Sequence, residues 1–124
     1  MYTVNDQTFK ELIDDCLKEL PKAHVSAIKN VAIIIEDEPS LEQRKNLNLK
    51  SYETLFGLYE GTPVSARGGN QKMIPDKITI FKLPIESVSD DLKSLKEQLK
   101  HTLWHEIAHY FGLNHDDIRK LDKR

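Results

Sequence analysis

A single cysteine, Cys16, is all that this chain of 124 residues contains. No internal disulfide can form, so disulfide-stapled secreted scaffolds are excluded. Glycine and proline are scarce, with five of each. That leaves no flexible or polyproline linker and favours one domain over residues 1–124. No stretch approaches the roughly 18 apolar residues that would span a bilayer, so no membrane partner is expected. The opening MYTVNDQTFK has no basic start followed by an apolar run, and no secretory signal is read there. Charge of one sign is missing too. Eighteen Lys and Arg stand against 20 Asp and Glu, a formal net charge of -2. This balance supplies no global attraction to nucleic acid or anionic lipid, and no nucleic-acid partner is expected. A cytoplasmic setting fits these absences.

Enough apolar residues remain, 39% of the chain, to build an independent core, since a domain of this size buries about two-thirds of its unfolded surface. Phe9, Leu12, Ile13, Cys16 and Leu20 recur at three- and four-residue spacing, which predicts a helix capped by Asp6 and closed by Pro21. In that stripe Cys16 reads as a small buried hydrophobe rather than a reactive thiol. The β-branched run 31–35 predicts a buried strand. Pro39 and Ser40 favour the start of a short helix in an otherwise polar stretch. Residues 55–59 predict a second strand ended by the turn signal Glu60-Gly61-Thr62-Pro63, and residues 78–81 a third. Residues 67–71 read as a flexible tip.

The longest apolar periodicity follows. Ser89 is placed to cap a helix whose first turn holds Asp90 and Asp91, where carboxylates suit the positive end of the dipole. Leu92, Leu95, Leu99, Leu103, Ile107 and either Tyr110 or Phe111 then make one face over about six turns, and Gly112 is suited to end it. The expected architecture is α+β: a small mixed β-sheet with an N-terminal helix and a long C-terminal helix that carries the active site.

Four of the five histidines fall between positions 101 and 115, and three of these sit in the segment HEIAHYFGLNHDD at 105–117. His105 and His109 are one turn apart on one helix face, so both imidazoles can converge on a single cation. Glu106 lies about 100° further round the helix, beside such an ion without being forced to ligate it. That is the position of a base that takes a proton from metal-bound water. Past Gly112 the chain can turn back, and His115 is the third candidate ligand, ahead of Asp116 or Asp117, which could also orient a histidine. Three protein ligands leave one tetrahedral position open for water, the mark of a catalytic rather than a structural zinc. Imidazoles without thiolate favour Zn2+. The alternative reading is a charged helix end whose histidines merely face solvent. It assigns Glu106 no role.

His101, one turn before His105, reads as an exposed histidine that does not ligate, and His24 as a surface or capping residue. Trp104 reads as core packing. Tyr110 is balanced between packing and lining the cleft.

With HEIAHYFGLNH, the segments LFGLYEGTPV and PDKITIF precede the long helix in an order and spacing that resemble the small bacterial zincin-like metallopeptidases. The resemblance implies a minimal α+β zincin fold with one zinc, held by the two helix histidines and a downstream residue. It departs in two places. Members of that family often carry Asp where His115 stands. Met1 and Met73 both precede the motif, so the methionine-containing turn that metzincins place after it is not expected. The resemblance implies hydrolysis of a peptide or protein substrate, with residues 55–59 able to pair with an extended chain. Two competing functions are weighed beside it. Histidines at this spacing also occur in the bacterial endoribonucleases that mature ribosomal RNA, but those typically lack a glutamate after the first histidine, and mild acidity ill suits phosphate binding. A zinc-stabilised binding module with little turnover is the third.

Overall fold

In the computed structural model, which describes residues 1–20, 31–61 and 76–112, the apolar stripe near the N-terminus forms helix α1 (Asp6–Lys18). Its cap is Asn5 rather than Asp6. Asn5 is extended and its side-chain oxygen accepts from the Thr8 amide at 2.8 Å. Asp6 falls one residue later, inside the first turn, where its carboxylate meets the Lys82 ammonium at 2.8 Å. Phe9, Leu12, Ile13 and Cys16 are buried as the spacing predicts. Pro21, His24 and the tip at 67–71 lie outside the described residues.

Strand β1 (Ala32–Glu36) follows. Helix α2 (Leu41–Asn46) starts at Ser40 with a capping box, the Ser40 hydroxyl accepting from the Gln43 amide while Gln43 reaches back. Strand β2 (Gly57–Glu60) begins two residues later than the apolar run suggests. Strand β3 (Lys77–Phe81) completes a three-stranded sheet in the order β1-β3-β2. β1 lies parallel to β3 and β2 antiparallel to it, so the sheet is mixed as expected. β1 is half-buried rather than fully covered, because it occupies an edge of the described sheet while β3 takes the centre.

A short helix, α3 (Lys82–Ser87), intervenes before the long one, and no periodicity announced it. Its presence moves the start of the long helix α4 (Leu92–Tyr110). Ser89 is not the cap. Its buried hydroxyl donates to the Ile85 carbonyl at 2.7 Å, closing α3. Asp91 caps α4 instead, accepting from the Ser94 amide at 2.8 Å while Ser94 completes a capping box. Leu92 accordingly lies at the rim and is exposed. Leu95, Leu99, Leu103, Ile107 and Tyr110 form the inward face and join Phe9, Ile13, Ile78, Ile80 and Ile85 in one core. Tyr110, not Phe111, takes the last inward place. Gly112 ends the helix at φ +86°, left-handed backbone that glycine adopts without strain. None of the described helices is long and apolar enough to cross a membrane.

Candidate metal centre

The last two turns of α4 hold the histidine pair. Both imidazoles leave the helix on one side, their Nε2 atoms 3.1 Å apart and their ring centroids 4.7 Å apart. Glu106 stands beside them, and one ligand-type atom from each of His105, Glu106 and His109 falls within 4.8 Å of the others. His105 and His109 are half-buried, whereas Glu106 is only 7% exposed.

What buries Glu106 is the close approach of α4 to β2. Gly57 makes that approach possible. A Cβ there would come within 2.8 Å of the Thr102 methyl and 3.1 Å of the Glu106 Cγ. The Glu106 carboxylate then reaches the strand, where its Oε1 accepts the Tyr59 amide at 2.9 Å. Burial pushes the carboxyl up to about 7, and the Tyr59 hydrogen bond opposes that rise only in part. A carboxyl poised near neutrality suits a group that must take and return a proton.

Tyr59 ties the site to the sheet end. Its hydroxyl donates to Asp76 at 3.0 Å, and its ring stands edge-on to Tyr110 with centroids 5.9 Å apart. Asp76 is itself buried and lies so close to Gly61 that no side chain fits at that position. Tyr110 therefore packs into the wall behind the site.

The two helix histidines and Glu106, singled out from their spacing, are thus brought together. The third candidate ligand, His115, and its alternates Asp116 and Asp117 lie outside the described residues. His101 is exposed one turn up the helix, its ring 6.3 Å from that of His105 and outside the cluster. Trp104 is not in the core. It is 39% exposed, because Leu103, Glu106 and Ile107 take the inward positions and leave position 104 rotated about 100° away from Leu103. Gly57, Tyr59 and Asp76 were missed by sequence reasoning. A glycine inside a short strand does signal close backbone approach, and Gly57 carried that signal. Nothing comparable marked Asp76.

The donor set fits a borderline cation. Two imidazole nitrogens facing each other at 3.1 Å, with a carboxylate alongside and no thiolate, match zinc better than calcium or magnesium, which seek oxygen shells.

The profile of a family described as zincin-like metallopeptidase matches residues 28–124. Among solved structures, a conserved hypothetical protein from Thermus thermophilus is similar in fold. It has a TM-score of 0.59 and 17% sequence identity, covering 87% of this chain and 94% of that one. No curated protein matches.

Proposed function

We propose that this chain, which belongs to the zincin-like metallopeptidase family, hydrolyses peptide bonds in a peptide or protein substrate, with Glu106 as the catalytic base. Family membership implies a metal, and the donor set makes zinc the fitting one. His105 and His109 would hold it, with His115 as third ligand. When bound, zinc supplies Lewis acidity and brings the ionisation of water down to about neutral pH.

Everything else falls to the chain's own residues. The Tyr59 amide holds Glu106 by Oε1, which leaves Oε2 to accept a proton from the attacking water. As the scissile C–N bond breaks, the same oxygen returns that proton to the leaving nitrogen. Burial raises the proton affinity of the Glu106 carboxyl, which favours its taking a proton from the attacking water. β2 is an outer strand of the described sheet, and its position beside Glu106 offers backbone pairing to an extended substrate.

One observation carries the reading. The glutamate that follows the first helix histidine is buried, held in place by the strand backbone, and has a carboxylate oxygen within 4.8 Å of a ring nitrogen of each imidazole. Zinc-loaded wild type, Glu106→Gln and His105→Ala, assayed on mixed peptides and on single-stranded RNA, test it. Peptide cleavage in wild type, lost in Glu106→Gln with its zinc retained, is expected. His105→Ala should lose stoichiometric zinc. Cleavage of RNA alone would put a nuclease in its place, and zinc binding with no turnover would leave a binding module.

A further inference from the structure

A cleft of about 400 Å³ opens beside the histidine pair and runs up α4 away from the helix end. One wall is the polar side of α4, with Gln98, His101 and His105. The other is Thr54, Leu55 and Phe56, where the chain enters β2. The walls differ in chemistry. Leu55 and Phe56 are half-buried apolar side chains. Across from them, Thr102 is already satisfied, donating to the Gln98 carbonyl at 2.8 Å and accepting from the Gln98 amide at 3.2 Å. His101 is exposed and makes no hydrogen bond among the described residues. Its neutral imidazole carries an N–H donor on one ring nitrogen and an acceptor on the other. Among the described lining residues the only carboxylate is Glu106, which is buried and engaged with Tyr59.

We propose that this cleft is the subsite for a substrate side chain next to the scissile bond, that it takes a glutamine or glutamate, and that His101 selects it. Such a side chain has a methylene stem to lie on Leu55 and Phe56, and an acceptor oxygen at its end for the His101 N–H. His101 stands one helical turn from His105, so a donor there meets the tip of a side chain whose backbone lies at the histidine pair. A lysine of similar length brings a cation and no acceptor to the same donor. The inference rests on the metallopeptidase reading, and binding separates the two.

The probes are blocked hexapeptides that differ at one position, Gln, Glu, Ala or Lys, with the variable position moved along the peptide. Cleavage by zinc-loaded wild type is mapped by mass spectrometry, and binding to zinc-loaded Glu106→Gln is measured by calorimetry. Gln or Glu should be preferred over Ala by about tenfold at one position flanking the cut, the factor that one net hydrogen bond supplies. His101→Ala should bring that ratio to near one, and His101→Gln, which keeps a donor, should restore part of it. Equal use of all four residues, or a preference that survives His101→Ala, overturns the proposal and leaves the peptidase reading standing. Gln-selective binding lost in His101→Ala, without cleavage of any peptide, supports the subsite and sinks the peptidase reading. Neither cleavage nor selective binding overturns both.

Discussion

The two halves of α4 are one continuous helix built to opposite specifications. From Leu95 to Leu103 the positions that enter the common core are all leucines, and Leu95, Leu99 and Leu103 are all but completely covered there. From Thr102 to Tyr110 the face turned to β2 carries a carboxylate against a strand amide and two imidazoles at its rim. The first half lowers the free energy of the fold by removing hydrocarbon from water. In the second half Ile107 and Tyr110 still join that core, but Glu106 works against it, because a carboxylate taken out of water is disfavoured in its charged form. A helix that holds its position through its first half can tolerate a destabilising but chemically useful residue in its second half.

The sharpest way to break this comparison is a matched pair of substitutions. Glu106→Gln keeps the shape and the Tyr59 hydrogen bond but removes the base, so peptide turnover should fall by about 10²–10⁴-fold with zinc content unchanged. Leu99→Ala should do the reverse. It opens a cavity in the fully covered half, which costs about 2–5 kcal/mol in denaturant unfolding, while the folded fraction should retain its zinc stoichiometry. If Leu99→Ala strips zinc from folded protein, the two halves are not separable as described.

The next largest effect concerns pH in chelator-treated protein. Folded Glu106 titrates at about 7 against an ordinary 4.5. The folded state therefore holds its proton more tightly than the unfolded chain. The stability this contributes is complete below about pH 4.5 and is lost as pH rises through 7. The full swing is on the order of 3 kcal/mol. Glu106→Gln should remove that slope and unfold at a higher temperature than wild type at pH 8. Equal melting at pH 8 would mean that the carboxylate is not desolvated as its burial implies.

Gly57→Ala should act on the second half from the strand side. Its Cβ would crowd Thr102 and Glu106 at 2.8 and 3.1 Å. Either the helix or the glutamate must shift, at about 1–3 kcal/mol. Turnover should fall by up to about 100-fold, as misplacement of a catalytic group does. Unchanged turnover, with the Tyr59 amide resonance unmoved, would show that the close approach is dispensable.

How much of this could be read from residues alone follows the same division. The apolar half of α4 was legible, because Leu95, Leu99 and Leu103 repeat with helical period and periodicity reports burial. His105, Glu106 and His109 were legible because their spacing is itself geometry along a helix. What escaped were relations between elements. Nothing local to Tyr59 says that its amide will meet a carboxylate 47 positions away, and nothing in Asp76 says that it will receive the Tyr59 hydroxyl. Ser89 was a reasonable cap on local grounds. It lost that role to Asp91 because the preceding helix claimed its hydroxyl for Ile85. Trp104 was misassigned because hydrophobicity alone does not fix which side of a helix a residue occupies.

The smallest effect provides the control for the largest, because the same chemical change can be made at the other end of the same helix. Asp91 is fully exposed at the N-terminus of α4, and its hydrogen bonds from Ser94 hold its carboxyl below the ordinary range. The sign is opposite to that of Glu106. Asp91 contributes stability above its ordinary pKa, and this is lost as pH falls through the lower folded value. Asp91→Asn keeps an oxygen that can accept the Ser94 amide, and asparagine caps helices as well as aspartate does. Melting at pH 7 should therefore barely move, and only the acid limb of the stability curve should flatten. At pH 8, then, amidating Glu106 should stabilise chelated protein while amidating Asp91 leaves it nearly unchanged. Burial is the difference between the two carboxylates. If both substitutions shifted the pH 8 melting temperature alike, net charge rather than desolvation would account for the Glu106 effect, and the contrast between the halves of the helix would lose its physical basis.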